Sequence, residues 1–105
     1  MRRLKNGSWA MRVNWTEPAL EDLEAIQTYI ARDSSFYARQ FIERILDVAT
    51  KLSFPGIGRQ MPEAEERTDI RELIFQGYRI IYLTQAEHIT IISVFMAAGM
   101  EDQPW

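Results

Sequence analysis

Three runs of strand-forming residues in the second half of the chain constrain the fold more than any other feature. They read IRELIF (residues 70–75), YRIIYLT (78–84) and HITIISVF (88–95), and they are rich in β-branched and aromatic residues. Two residues, the second of them Gly77, separate the first pair, and three residues separate the second pair. Connections this short join antiparallel neighbours, so the runs predict a three-stranded meander. A sheet this small must bury one face against other elements.

Two helical patterns precede the meander and can cover that face. The first begins at Thr16, a good N-cap, with Pro18 suited to the first turn. Its apolar stripe consists of Ala19, Leu23, Ile26 and Ile30. The second is capped by Ser34 or Ser35 and ends at Pro55-Gly56. Its stripe, the strongest helical period in the chain, consists of Ala38, Phe41, Ile42, Ile45, Leu46, Ala49 and Leu52.

The connections between these elements complete the predicted architecture. Residues 32–35 are few enough to make an antiparallel helix hairpin. A short strand, MRVNW (residues 11–15), precedes the hairpin, and a polar loop (residues 55–69) with at most one turn of structure follows it. The order β-α-α-β-β-β predicts an α+β fold, a helix hairpin packed on a small antiparallel sheet. Residues 1–10 are expected to form an N-terminal appendage, and residues 11–105 a single domain.

The charge balance and the rarest residue types narrow the classes of ligand. The formal net charge is −3, and from Phe54 onward four basic residues face eight acidic ones. Because nucleic-acid affinity rests largely on phosphate contacts by Lys and Arg, direct nucleic-acid binding is not expected. With no cysteine and one histidine, His88, neither a disulfide nor a zinc site is expected, and no motif indicates a cofactor.

The sequence also bears on location. No apolar run reaches about 18 residues, so no membrane partner is expected. The basic start of the chain lacks the apolar stretch of a signal peptide, and a cytoplasmic protein is therefore expected. The acidic runs EDLE (residues 21–24) and EAEE (63–66) are interpreted as solvated charges at a helix start and in a loop.

The arginines are the best candidates for a binding site. Arg71 and Arg79 lie on consecutive strands of the predicted meander, and Arg59 lies in the loop that leads into it. Three guanidinium groups converging on one sheet face would bind phosphate or the carboxylates of a partner. In the alternative, Arg79 pairs with Glu72 across the hairpin and only tethers the sheet. The sequence by itself leaves both open.

Five segments in register resemble a known family. They read VNWTEPALEDLEAIQTYIA (residues 13–31), ARQFIERI (38–45), LSFPGIGRQMPE (52–63), IRELIFQGYRIIYL (70–83) and ITIISVF (89–95). Together they are similar to the RelE/ParE toxins of bacterial type II toxin–antitoxin systems. The resemblance implies the same element order and a cognate antitoxin whose flexible segment wraps the toxin. RelE-like members cleave mRNA in the ribosomal A site without metal, whereas ParE-like members inhibit DNA gyrase.

The resemblance is closer to the ParE-like branch. Nucleases of the superfamily use basic residues of the sheet and a histidine or tyrosine just after the last strand. Here Arg59, Arg71 and Arg79 could serve a nuclease, but Met96 stands where relatives often carry histidine, and no lysine follows Lys51. Inhibition of gyrase through protein–protein contact, without catalytic residues, is therefore expected. A RelE-like endoribonuclease, or a weakened toxin that only binds its antitoxin, is the alternative.

On the ParE-like reading the same side chains become partner contacts within a toxin–antitoxin hetero-oligomer. Arg59, Arg71 and Arg79 would bind carboxylates of the partner. Phe36 and Tyr37 add more aromatic surface than one buried stripe needs, and they are expected to contact the partner as well. Packing of these two rings in the core is the alternative.

Overall fold

The fold follows from a computed structural model of the chain. The structure describes residues 2–3, 9–10, 12–54, 57–64 and 66–97. Four predictions fall wholly or partly outside these ranges: Met11 in the first strand, the Pro55-Gly56 end of the second helix, the N-terminal appendage (residues 1–10), and the extent of the domain after residue 97.

Both predicted helices form, and each begins at a predicted cap. Helix α1 spans Glu17–Ala31 and helix α2 spans Ser35–Lys51. The Thr16 hydroxyl accepts a hydrogen bond from the Ala19 amide at 3.2 Å, and the Ser34 hydroxyl accepts one from the Tyr37 amide at 3.1 Å. These caps satisfy amides that have no partner within the helix, so the sequence fixes where each helix begins.

The strands form two sheets. A two-stranded antiparallel sheet pairs β1 (Arg2–Arg3) with β2 (Trp9–Ala10). A five-stranded sheet has the order β3-β7-β6-β5-β4, with the following bounds: β3 Arg12–Trp15, β4 Arg59–Gln60, β5 Ile70–Phe75, β6 Tyr78–Thr84 and β7 His88–Met96. A single 3₁₀ turn, Pro62–Ala64, is described in the loop before β5. Two helices packed beside this sheet confirm the predicted α+β class.

The sheet is mixed rather than wholly antiparallel, because β3 runs parallel to β7. The pairing continues past the end of β3, since the Thr16 amide and hydroxyl both donate to the Ile91 carbonyl, at 3.1 and 2.9 Å. The meander itself is antiparallel, as predicted, and β4 adds a two-residue edge strand where only a loop was predicted. Alternation of apolar residues marks a strand but carries no information about its direction.

The turn between β5 and β6 has the conformation that its sequence favours. Gln76 and Gly77 both have positive φ, 47° and 88°, which is the pattern of a type I′ hairpin turn. They join the cross-strand pair Phe75 and Tyr78. The Gly77 carbonyl then accepts the Ala97 amide at 2.8 Å, which ties the turn to the residue after β7.

The core lies between the helix hairpin and one face of the sheet. Its buried members include Leu23, Ile26, Phe41, Ile45, Leu52, Ile80, Tyr82, Ile89, Ile91 and Val94. The predicted stripe of α1 is confirmed, with Ile30 at its half-buried edge. The predicted stripe of α2 is one residue too wide, because the Leu46 side chain is exposed. Leu46 follows Ile45 directly, and two adjacent residues of a helix point about 100° apart.

The carboxylate of Asp22, in the EDLE run, has a structural role. It accepts hydrogen bonds from the Val94 amide at 2.9 Å and from the Ser93 hydroxyl at 3.3 Å. These groups lie on β7 beyond the end of β3, where the ladder offers the Val94 amide no further strand. Asp22 therefore anchors α1 to the sheet and satisfies an amide on that edge.

Candidate functional site

The candidate site lies on the sheet face opposite the helices. Side chains alternate along β6, so Ile80 and Tyr82 enter the core and Arg79 points to the other side. Its cross-strand neighbours are Ile74 on β5 and Phe95 on β7. The guanidinium carbon of Arg79 lies 5.3 Å from the centroid of the Phe95 ring, within range of a cation–π contact. Arg79 is thus held flat against the central strands.

Two carboxylates occupy the donors of Arg79. Its Nε donates to Glu72 Oε2 at 2.6 Å. Its two terminal nitrogens, Nη1 and Nη2, donate to Glu63 Oε2 and Oε1, both at 2.8 Å. The contact with Glu63 is therefore bidentate, the geometry in which a guanidinium binds a carboxylate most specifically.

The two carboxylates differ sharply in their exposure. The side chain of Glu72 is 1% exposed and that of Arg79 is 10% exposed, so this pair belongs to the interior. The side chain of Glu63 is 57% exposed and closes the site on its solvent side. Glu72 therefore anchors Arg79 from within, whereas Glu63 covers the part of the guanidinium that faces outward.

Arg59 completes the cluster from the sheet edge. It is the cross-strand neighbour of Glu72, and its Nε donates to Glu72 Oε1 at 2.9 Å. Its side chain is 65% exposed. Two guanidinium groups and two carboxylates thus form a connected set with no net charge, which we call the arginine–glutamate cluster (Arg59, Glu63, Glu72 and Arg79).

The outer pair of the cluster, Glu63 and Arg79, stays ionised over the physiological range. Hydrogen bonds from Arg79, above all, lower the pKa of Glu63 to about 2. The same bonds raise the pKa of Arg79, against the opposing effect of its burial, and Glu72 adds to the rise. Both groups therefore carry their charges at neutral pH, and the exchange of a proton between them plays no part in the site.

The structure does not bring the third arginine to this face. Arg71 is the cross-strand neighbour of Tyr82, so it lies on the helix side of β5, and its Nη2 donates to the Gly58 carbonyl at 2.6 Å. The predicted convergence of three guanidinium groups is therefore wrong for Arg71 and right for Arg59 and Arg79. The predicted pair of Arg79 with Glu72 across the hairpin is confirmed.

Arg71 instead supports a tightly packed corner around Tyr82. Burial raises the pKa of the Tyr82 hydroxyl, an effect that the neighbouring Arg71 partly offsets. A Cβ atom added at Gly58 would lie 1.8 Å from the Tyr82 hydroxyl oxygen and 2.8 Å from the Glu72 carbonyl oxygen. Only glycine fits there, so the backbone of residue 58 can approach both the strand and the arginine.

Glu63 is the site residue that the sequence prediction missed. It belongs to the EAEE run, which was interpreted as solvated charge, and it stands 16 residues before Arg79. The 3₁₀ turn at Pro62–Ala64 presents it, and the Met61 amide, which donates to the Ile70 carbonyl at 3.2 Å, holds the start of that turn against β5. Pro62, directly before Glu63, was the local sign of a fixed turn.

The two aromatic candidates lie at the surface. The Phe36 and Tyr37 side chains are 67% and 47% exposed. The alternative prediction, that these rings pack in the core, is therefore wrong. Both occupy the first turn of α2, and the Tyr37 ring stacks on that of Phe41 with centroids 6.5 Å apart. They are available to a partner, and contact with one stays a prediction.

The part of the chain that the structure describes offers little support for a metal site, a histidine-based site or a membrane-spanning helix. Among those residues no three His, Asp or Glu side chains are grouped as a metal site would require. His88 is half-buried at the start of β7 and lines a small depression with Arg12, Asn14 and Glu87. No helix within the described ranges has the length and apolar character needed to cross a membrane.

Comparison with known proteins identifies relatives of the chain. Residues 13–99 match the family model described as the ParE toxin of the type II toxin–antitoxin system parDE. No curated protein sequence matches the chain. Among solved structures, the chromosomal ParDE toxin–antitoxin system of Pseudomonas aeruginosa is similar, with a TM-score of 0.71 and 22% identity over 86% of this chain and 99% of that one.

Two further structures share the fold. The toxin–antitoxin complex RelBE2 of Mycobacterium tuberculosis gives a TM-score of 0.60 and 21% identity over 85% of this chain and 93% of that one. The conserved hypothetical protein HP0894 of Helicobacter pylori gives 0.52 and 15% over 84% and 96%. At these identities the likeness establishes a common fold.

Proposed function

Because the chain belongs to the family of ParE toxins of type II toxin–antitoxin systems, we propose that it inhibits DNA gyrase by binding it and that a cognate antitoxin neutralises it. The target and the antitoxin both act through protein surfaces, so the proposal needs no reacting group and no cofactor. It places the protein in the cytoplasm, where gyrase works.

The hydrogen bonds of Arg79 are the observation that favours this proposal over a ribonuclease. A nuclease would need the guanidinium free to hold the scissile phosphate and its developing charge. Here both terminal nitrogens of Arg79 already bind Glu63, and its Nε binds Glu72. A phosphate would meet the negative charge of Glu63 first, in a cluster whose charges already balance. The site is built to hold carboxylates.

The same geometry supports an antitoxin contact at this face. Glu63 is the exposed member of the cluster, and a carboxylate of the antitoxin can take its place on the outer side of Arg79 while Glu72 keeps the inner side. Arg59, also exposed, lies next to that position. Arg71 is half-buried on the other face and bonded to the Gly58 carbonyl, so any partner contact it makes is separate.

Phe36 and Tyr37 provide the second part of the proposed antitoxin surface, in a toxin–antitoxin hetero-oligomer. They project from the start of α2, where an amphipathic segment of the antitoxin can cover them. Burial of exposed aromatic rings by a segment that folds on binding gives the affinity that a small interface needs.

The decisive experiment is a gyrase supercoiling and cleavage-complex assay with the purified protein, alone and with its antitoxin. We expect inhibition that the antitoxin relieves. A parallel assay with ribosomes and mRNA tests the RelE-like alternative. Cleavage of ribosome-bound mRNA together with unaffected gyrase at excess protein would overturn the proposal, and failure of both assays would indicate a toxin that retains only antitoxin binding.

Calorimetry with the antitoxin tests the role of Arg79. We expect Arg79→Ala to weaken antitoxin binding by about 2 kcal/mol or more, since it removes a charged partner of an interfacial carboxylate. The variant also leaves the buried Glu72 with Arg59 as its remaining partner, so we expect a fall in stability to accompany this loss. Leu20→Ala, which trims an exposed side chain of α1, is the control. Unchanged affinity with a large drop in melting temperature would reduce Arg79 to a tether of the sheet.

A further inference from the structure

A groove between the helix hairpin and the β5–β6 turn has an unusual lining. It measures about 440 Å³, and its walls include Tyr29, Asp33, Tyr37, Phe41, Tyr78 and Met96. It lies on the helix side of the molecule, whereas the arginine–glutamate cluster lies on the opposite sheet face. No residue of that cluster lines the groove, and of the two aromatic residues proposed to contact the antitoxin only Tyr37 does.

Four aromatic rings line the groove, those of Tyr29, Tyr37, Phe41 and Tyr78. The Phe41 ring stands between two others, with centroids 5.5 Å from Tyr78 and 6.5 Å from Tyr37. Tyr29 and Tyr37 are 59% and 47% exposed, so their rings are open to a ligand. Aromatic faces carry negative electrostatic potential and attract cations within about 6 Å.

The charged residue at the groove is negative, like the electrostatic potential of the aromatic faces. Asp33 is the charged residue among the described residues that line it, and none of the ion pairs within the described ranges involves Asp33. Its amide donates to the Ile30 carbonyl at 3.0 Å, which fixes it at the end of α1. Because α2 begins directly afterwards, at Ser35, the opposite ends of two helix dipoles meet here and largely offset each other. The negative charge at the groove is therefore that of the Asp33 carboxylate.

The Tyr78 hydroxyl adds a neutral polar group to this wall. Burial, above all, and then the neighbouring Tyr29 raise the pKa of Tyr78. Its hydroxyl therefore keeps its proton at neutral pH.

One tyrosine of the wall already holds a guanidinium. The guanidinium carbon of Arg32 lies 6.0 Å from the Tyr29 ring centroid, and Arg32 belongs to a different depression, with Glu21 and Glu24. Arg32 thus takes up part of the Tyr29 ring, and the other aromatic rings of the groove are those of Tyr37, Phe41 and Tyr78.

We propose that this groove binds the side chain of an arginine presented by a protein partner. The guanidinium stacks on the tyrosine rings and donates to the Asp33 carboxylate, while the methylene stem packs against Met96. Arginine suits the groove better than lysine because its planar head can stack and can bind a carboxylate with two hydrogen bonds. Where the partner is the antitoxin, the inference rests on the proposed function.

A titration followed by NMR tests the groove without any partner. The probe is N-acetyl-arginine N-methylamide, and the matched neutral probe is the citrulline analogue, which has nearly the same shape and no charge. We expect saturable shifts of the Tyr29, Tyr37 and Tyr78 ring signals with the arginine probe at millimolar concentrations. We expect the citrulline probe to bind at least about threefold more weakly.

Three variants locate the site. Asp33→Asn and Tyr37→Leu should each weaken binding of the arginine probe about threefold or more, because one removes the charge and the other the aromatic face. Asp47→Asn makes the same change of charge at an exposed position of α2 outside the groove, and it should leave binding unchanged.

Several outcomes would overturn the inference. Equal binding of the citrulline probe would make the groove a site for apolar side chains. Equal weakening by Asp47→Asn would reduce the effect to general attraction by an acidic surface. Tyrosine shifts that depend on protein concentration without probe would assign the groove to a second copy of the chain. Because neither gyrase nor antitoxin enters the titration, its failure is distinct from failure of the proposed function.

Discussion

The two faces of the five-stranded sheet are stabilised by different means. The helix side of β6 carries Ile80 and Tyr82, which are covered by both helices and form an apolar core. The open side carries Arg79, which is also buried but is held by hydrogen bonds and charge. Adjacent residues of one strand thus sit in the two most different environments of the domain.

The comparison separates stability from recognition. Apolar burial is non-directional, and it stabilises the fold. The buried side chains are inaccessible, so another protein cannot contact them or replace their neighbours. The arginine–glutamate cluster has one carboxylate that is hidden, Glu72, and one that is exposed, Glu63. Only the second can be exchanged for a group of another protein without opening the fold. We therefore expect substitutions on the two faces to differ in size and in kind.

The largest effect is expected on the helix side. Ile45→Ala removes a side chain with no exposed surface and leaves a cavity, which should lower the free energy of unfolding by about 4 kcal/mol. Urea denaturation measures this change. The adjacent variant Leu46→Ala, at an exposed position, should change it by less than about 0.5 kcal/mol. Equal losses for the two would mean that α2 does not pack with the face described.

A smaller but still large loss is expected from the inner carboxylate. Glu72→Gln leaves the buried Arg79 and the neighbouring Arg59 without their shared charge, and should destabilise by about 3 kcal/mol. Glu43→Gln, on the exposed side of α2, makes the same chemical change as a control. A loss no greater than that of the control would show that the open face contributes nothing to stability.

The outer carboxylate should contribute less to stability and more to binding. Glu63 is exposed, and solvent screens its pair with Arg79, so Glu63→Gln should lower the free energy of unfolding less than Glu72→Gln does. It should tighten antitoxin binding, because the incoming carboxylate no longer has to displace Glu63. Isothermal calorimetry measures the change, and weaker binding by the variant would assign Glu63 itself to the interface.

The smallest effect is expected when acid protonates the Glu63 carboxylate. Arg79 lowers the pKa of Glu63 from an ordinary value of 4.5 to about 2, so the stabilisation by this pair is present above pH 4.5 and is lost as the pH falls toward 2. An NMR titration of the Glu63 carboxyl carbon should show a midpoint near pH 2. The Arg79→Ala variant should return that midpoint toward 4.5, and a midpoint already near 4.5 in the unaltered protein would contradict the bidentate contact.

Local signals predicted the elements of the fold well. Thr16 and Ser34 each place an acceptor where a helix begins, and the Gln76-Gly77 turn joins two strands that could pair only as a hairpin. These features depend on residues a few positions apart, and short-range stereochemistry decides them.

The features that were missed depend on distant residues. The direction of β3 is set by its pairing with β7, more than 70 residues later, and two residues are too few for β4 to show any alternation. Arg71 and Arg79 were assigned to one face, but residues on neighbouring strands share a face only in the right register. Glu63 reached the site because a loop folds back over the sheet, which no spacing in the sequence predicts.

The parallel pairing of β3 with β7 also bears on how the chain is made. Thr16 and Ile91, which meet at the end of this pairing, are 75 residues apart. At about 5 to 20 residues per second, a ribosome takes roughly 4 to 15 s to synthesise that interval. Helix α2 ends at Lys51, so for roughly the last 2 to 8 s of this time both helices can form without the strand that pairs with β3. Closing so long a loop slows the last step further. A newly made chain therefore presents its apolar stripes to chaperones, or to an antitoxin already present, before it has a finished surface.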